Sequence, residues 1–196
     1  MESTLLIKRR EAIILATIET IDECGVQAVS TKEIAKKQGV SERIIFKHFP
    51  TKNDLFIAVL DYFTKYDEAI IQTAQHKEMK PIEAIMYFID SYSTYYENYP
   101  AITAMTQSFD ALRCNPRLEE KVISIFKSKE TFIKQQIERA KEQNIIKMEM
   151  DTEGLADVIL GTFMRLCLKW RIYNYSFSLR ETTLSTIESI LQSFHI

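Results

Sequence analysis

A chain of 196 residues is long enough to bury a sizeable core in one or two domains. Hydrophobic residues make up 46% of it and charged residues 27%, which excludes a disordered chain. A net charge of −2 excludes a polycation, so any grip on nucleic acid must come from a local patch. The three cysteines, Cys24, Cys114 and Cys167, lie far apart without CxxC spacing, which argues against a disulfide framework or zinc site and fits a reducing cytoplasm. Residues 1–10 lack the long apolar core of a signal peptide, and no apolar run reaches the roughly 20 residues that span a bilayer.

Glycine and proline are scarce, four of each, and fall where helices should break. Period-2 alternation is nowhere sustained, and the spacing predicts an all-α chain of about nine helices. The first runs from near the N-terminus to Glu23, with Ile14, Ile18 and Ile21 inward and Gly25 as its stop. The second opens at Ser30, with Glu33 completing a capping box, and ends at Gly39, which enters a left-handed turn cheaply. The third opens at Ser41 and closes near Phe49. The fourth follows Pro50, with Thr51 as N-cap and Asp54 as its box partner, and continues toward His76.

Pro81 starts the fifth helix, with Ile82, Ile85, Met86, Ile89, Tyr92 and Tyr96 on one face. Pro100 starts the sixth, carrying Ile102, Met105 and Phe109. Asn115-Pro116 caps the seventh, whose stripe includes Val122, Ile125, Phe126, Phe132, Ile133, Ile137 and Ala140. Asp151 caps the eighth, which runs to about Tyr175 and is apolar on more than one face. A turn around Ser176 and Ser178 leads to the ninth, with Leu184, Ile187, Leu191 and Phe194. Internal repeats and low-complexity segments are absent.

Residues 33–52 read as helix, tight turn, short helix and the start of another helix, the layout of a DNA-gripping helix-turn-helix. From Lys32 to Lys52, Lys32, Lys36, Lys37, Arg43, Lys47 and Lys52 face only Glu33 and Glu42 in opposition. Ile34, Ala35, Val40, Ile45 and Phe49 suit a small core between the second and third helices. Ser41 would cap the recognition helix and turn its N-terminus toward phosphate. Glu42, Arg43, Ile44 and Lys47 would project from its exposed face. Arg43 and Lys47 suit guanine O6 and N7, and Ile44 suits a thymine methyl. His48, Lys52 and Lys32 are placed for phosphates.

Ile13-Ile14, Ala16, Gly25, Ser30, Ile34-Ala35, Gly39-Val40-Ser41, Ile45-Phe46, His48-Phe49, Lys52 and Leu55 resemble the N-terminal domain of TetR-family transcriptional regulators. The resemblance covers roughly residues 10–60 position by position. It implies a DNA-binding domain over residues 1–50 and a ligand-binding and dimerisation domain over residues 51–196, joined by the helix of residues 51–76. One departure is Phe46, a position commonly Tyr in the family, whose hydroxyl reaches a phosphate.

The aromatics and methionines of the fifth to seventh helices suit either ordinary core packing or an apolar effector cavity. The cavity reading takes Met86, Ile89, Tyr92, Met105, Phe109, Phe126 and Phe163 as lining. Asp90, Gln107, Asp110 and Arg165 are candidate polar anchors, with Arg165 suited to an anionic ligand end or to an acidic residue across an interface. Leu160, Gly161, Met164 and Cys167 on the eighth helix, with Leu184, Ile187 and Leu191 on the ninth, are expected at a homodimer interface. Such a four-helix bundle between two copies is also what the resemblance implies. His48, His76 and His195 are isolated, and no catalytic constellation, cofactor motif or metal-ligand spacing is present.

The expected protein is a cytoplasmic, homodimeric repressor on an inverted-repeat DNA operator, released by a small apolar or aromatic effector. The alternative is a DNA-bound adaptor whose helical body binds another protein without a small-molecule ligand.

Overall fold

The computed structural model describes residues 2–194, so His195 lies outside the described residues. The chain is all-α. Its helices are α1 (Glu2–Cys24), α2 (Thr31–Lys37), α3 (Glu42–His48), α4 (Lys52–His76) and α5 (Pro81–Asn98). After a 3-10 turn at Pro100–Ile102 come α6 (Thr103–Gln107), α7 (Phe109–Arg113), α8 (Pro116–Glu142), α9 (Thr152–Ile172) and α10 (Leu179–Ser193). Among the described residues there are thus ten α-helices where the spacing predicted about nine.

The difference lies in the single helix expected after Pro100. Ser108 divides it: its amide donates to Met105 O at 3.0 Å, a three-residue closure, while its hydroxyl donates to Ala104 O at 2.7 Å. Such back-bonding competes with the regular ladder and bends a helix. The expected eighth helix is also trimmed, with α9 ending at Ile172 rather than near Tyr175.

The remaining breaks follow the expected chemistry. Ser30 Oγ accepts from Glu33 N at 3.1 Å. Thr51 N donates to Asp54 Oδ2 at 2.9 Å while Asp54 N donates to Thr51 Oγ1 at 3.1 Å, a reciprocal capping box. Asp151 accepts from Glu153 N and Gly154 N. Gly39 has φ +62°, the left-handed turn that an L side chain enters only with strain.

The chain divides into two compact units. One holds Met1–Tyr66 and Pro100–Ile125, the other Asp67–Tyr99 and Phe126–Ile196. In the first, α1 packs on α2, on the 3-10 turn and on α6, around Ile13, Ile14, Ile18 and Ile21. The start of α8 is tied to the start of α4 by Arg117–Asp54 at 3.1 Å, Lys121–Asp61 at 2.8 Å and Asn115 Nδ2 to Asn53 Oδ1 at 2.8 Å.

In the second unit α10 packs on α5 and α9. Ser93 and Thr183 share a buried hydrogen bond of 2.7 Å across α5 and α10, and Glu97 accepts from Ser178 Oγ and Arg180 N at the start of α10. Phe88, Tyr92, Tyr96, Phe132 and Phe163 meet in the interior through ring-on-ring contacts at 4.6–6.3 Å between centroids.

Candidate functional site

The first unit carries the reading head. Ile34, Ala35, Ile45 and Phe49 are buried, with Val40 half-buried, so α2 and α3 are locked by the five side chains expected there. Val40 N donates to Ala35 O at 3.0 Å and closes the turn. A short exposed hydrogen bond from Thr31 Oγ1 to Glu42 joins the starts of the two helices. Ser41 holds the N-cap position of α3, but its hydroxyl makes no capping hydrogen bond. The start of the recognition helix is therefore held by the Gly39 turn and by Glu42 rather than by a Ser41 side-chain cap.

Burying Ile45 turns the rest of α3 outward. Ser41, Glu42, Arg43, Ile44, Phe46 and Lys47 are all exposed, as are Lys32 and Lys52, while His48 is half-buried. Arg43, Ile44 and Lys47 share this open face at helical spacing. Lys52 lies at the first position of α4, its ammonium 5.4 Å from the centre of the Phe56 ring.

Two features of this patch go beyond the expected residues. Burial, then Lys47, Arg10 and Arg9, hold the His48 imidazole below its usual pKa. The Arg10 guanidinium lies 5.0 Å from the centre of the Phe49 ring. The basic run Lys8-Arg9-Arg10 of α1 thus extends the positive surface of α3. Its signal was three consecutive cations in the first ten residues of a chain with net charge −2. Lys37, by contrast, faces α1, pairing with Glu23 at 2.6 Å and Glu19 at 3.3 Å.

The residues expected to line a cavity are divided between the two units. Met105, buried, and Phe109, half-buried, belong to the first unit. Ile89, Tyr92 and Phe163 are buried in the second, with Met86 half-buried. Phe126 is 59% exposed, because Ile125 and Lys129 take the inward positions of that turn of α8. Arg165 is exposed, and it shares the outer face of α9 with Val158, Gly161, Leu168 and Ile172. The other nominated anchors also stay outside the core: Asp90 pairs with Arg180, Asp110 with Arg113, and Gln107 is exposed.

Two opposite charges meet inside the second unit, Asp67 and Lys129. Asp67 is 2% exposed, and Lys129 Nζ lies 3.4 Å from its Oδ1. The Tyr92 hydroxyl donates to the same Oδ1, and Lys129 Nζ sits 4.3 Å from the centre of the Tyr92 ring. Burial raises the Asp67 pKa against the pull of Lys129 and Tyr92, and burial lowers that of Lys129 against Asp67. Cys167 adjoins this group, its thiol pushed up to about 12 chiefly by burial. Asp67 and Lys129 were legible in principle. Each interrupts an apolar stripe, Phe63-Asp67-Ile70 on α4 and Ile125-Lys129-Phe132 on α8.

Of the nominated interface residues, Cys167, Ile187 and Leu191 point into their own unit. Leu160, Met164 and Leu184 are half-buried, and Gly161 is exposed with open space where a Cβ would be. Val158 and Ile172 are apolar and exposed on the same helix.

No described helix is long and apolar enough to cross a membrane, and no cluster of three potential metal ligands occurs among the described residues. Residues 13–59 match the family model for bacterial regulatory proteins of the tetR family. Nucleoid occlusion factor SlmA of Vibrio atlanticus is 25% identical over 82% of this chain and 83% of its own. Among solved structures, FadR of Bacillus subtilis in complex with stearoyl-CoA superposes with a TM-score of 0.79 at 22% identity, covering 94% of this chain and 99% of that one. A TetR-family regulator from Agrobacterium tumefaciens gives a TM-score of 0.80 at 17% identity, covering 97% and 100%. Residues 13–59 thus carry the DNA-binding domain of the tetR family of bacterial regulatory proteins, and the likeness to solved regulators extends the same fold over the rest of the chain.

Proposed function

We propose that the chain is a homodimeric repressor that leaves an inverted-repeat operator when a small apolar effector enters its body. The functional division is a DNA-binding domain over residues 1–50 and an effector and dimerisation domain over residues 51–196. The observation that carries the DNA half is the outward face of α3, where Arg43, Ile44 and Lys47 stand exposed over a buried Ile45. In this reading Arg43, Lys47, Ile44 and Glu42 meet base edges, and Lys32, Ser41, His48 and Lys52 meet the backbone, joined by Arg9 and Arg10.

A seven-residue recognition helix offers little site length by itself. Two copies related by a two-fold axis read two half-sites, which makes the operator an inverted repeat. The exposed outer face of α9 supports pairing: Val158, Gly161, Leu168 and Ile172, with half-buried Leu160, Met164 and Leu184 alongside. The nominated Cys167, Ile187 and Leu191 then act as internal support. Ile172→Glu should convert a dimer to monomer in sedimentation and abolish operator binding. A monomeric wild-type chain at micromolar concentration would overturn the assembly.

The aromatic interior of the second unit supports an apolar effector, and the Bacillus subtilis structure with stearoyl-CoA supplies a probe for it. A binder at 100 times its dissociation constant should stabilise the fold by about 2.7 kcal/mol and release operator DNA. The second reading is the protein-binding adaptor. A point in its favour is that the relative matched over most of both chains is named a nucleoid occlusion factor, not an effector-controlled regulator. A broad thermal-shift screen without any stabilising compound, and native mass spectrometry without a carried molecule, would select the adaptor.

A further inference from the structure

The Asp67 carboxylate is half satisfied. Oδ1 accepts from Tyr92 and faces Lys129, while Oδ2 is buried without a hydrogen-bond partner. A buried acceptor left without a donor is costly, and native interiors rarely keep one. The groups facing this carboxylate are Lys129 on α8 and Tyr92 on α5, with Glu68 acting from α4 itself and Cys167 on α9 beside Lys129. The Lys129 ammonium already supplies a cation facing this anion. What the site lacks is a donor, not a charge.

We propose that the effector is an elongated apolar molecule ending in an uncharged hydrogen-bond donor, such as a hydroxyl, which it delivers to Asp67 Oδ2. The inference rests on the reading that the chain answers to a small effector, and it names that effector's chemistry. A carboxylate head would set a second anion beside Asp67. An ammonium head would leave the interior with one cation in excess. Either brings an unpaired charge into a low-dielectric core, which a hydroxyl avoids. The apolar tail would lie against Phe88, Tyr96 and Phe163, whose rings contact that of Tyr92. Asp67 belongs to α4, the helix that begins at Lys52, so a ligand bonded there acts on that helix directly.

The test compares dodecan-1-ol, dodecanoate and dodecylammonium on the full-length protein, all below their aggregation thresholds. Binding is followed by calorimetry and by operator release. Dodecan-1-ol should bind about ten- to hundredfold tighter than either charged analogue. The double variant Asp67→Leu, Lys129→Met removes the acceptor together with its cation, so it keeps a balanced core. It should still bind operator but lose the preference for the alcohol. A purely structural ion pair would leave that preference untouched. If dodecanoate or dodecylammonium binds tighter and releases the operator, effector control stands and this inference falls. If the alcohol shows no advantage, Oδ2 is met by an internal water and the inference also falls. If none of the three binds or releases DNA, the effector reading falls with it.

Discussion

The two units handle charge in opposite ways. Around α2 and α3 the first unit keeps its charges at the surface, over a core of Ile34, Ala35, Ile45 and Phe49. The second places Asp67 and Lys129 inside, bonded to each other and to Tyr92 among stacked rings. An exposed cation costs little to keep and is free to meet a phosphate or a base. A buried pair costs desolvation on both sides, and its strength depends on each partner holding the other. The first unit therefore offers its charges to a partner surface, and the second spends its pair within the fold.

The sharpest way to break this comparison is to break the pair. Lys129→Met should cost about 3–5 kcal/mol in denaturant unfolding, because it strands a buried carboxylate. The double variant Asp67→Leu, Lys129→Met should recover that loss and end within about 1–4 kcal/mol above the wild type. The pH dependence has a defined sign. An acid whose pKa is raised on folding holds its proton more tightly in the fold, so stability falls as pH rises from the ordinary carboxylate value through the raised one. A lysine whose pKa is lowered on folding works the other way, and stability recovers as pH rises from that lowered value toward 10.5. Both slopes should vanish in the double variant. Identical pH–stability curves for the two proteins would show that the pair is not coupled to folding.

Next in size is the reading head. Arg43→Ala and Lys47→Ala should each cost about 1–3 kcal/mol of operator affinity and relax preference at single base positions. Lys52→Ala should weaken all sequences alike and lower the salt slope by about one. Stability should barely move in any of the three, since all are exposed. An Arg43→Ala protein with unchanged preference between operator and random DNA would remove α3 from base readout.

Two glycines extend the contrast. Gly39 has φ +62° with nothing near its missing Cβ, so Gly39→Ala should cost about 1–2 kcal/mol through backbone strain alone. Gly161 lies inside α9 with the same open space but helical geometry, so Gly161→Ala should raise the stability of an isolated protomer by about 0.5–1 kcal/mol. If a second α9 approaches there, the same methyl should weaken the dimer. Sedimentation across a concentration series separates the two effects.

These contrasts also explain what was legible in the sequence. The head was read almost residue by residue because its signals are local: Ser30 before Glu33, Gly39 at the turn, Thr51 before Asp54. Each declares its role within four positions. The Ser41 cap failed because Ser at an N-cap position allows that hydrogen bond without forming it. In the body, stripes predicted helices but not partners. Phe126 and Ile125 are neighbours on one stripe, and only the packing decides which turns inward. Asp67 and Lys129 are 62 residues apart, and a charge on an apolar stripe announces an oddity without naming what answers it. A lone cation among apolar neighbours, Arg165 suits an anionic ligand end or an acidic residue across an interface, and its exposure on the outer face of α9 is a matter of packing that the spacing does not carry.

The smallest expected effect tests the one departure of the head from its family. Phe46 is 45% exposed on α3, beside Arg43 and Lys47, so its ring edge is open rather than spent in the core. A tyrosine there would carry a hydroxyl beyond the ring, where it could donate to a phosphate oxygen. Phosphate contacts position the protein without reading sequence, so the gain should be the same on operator and random DNA. Phe46→Tyr should tighten both by about 0.5–1.5 kcal/mol, the net worth of one hydrogen bond. The slope of affinity against salt should stay unchanged, because a hydroxyl releases no counterion. A gain confined to the operator would place this ring against a base. No gain on either DNA would place it away from the backbone, and would make Arg9, Arg10 and Lys52 the principal grip on phosphate.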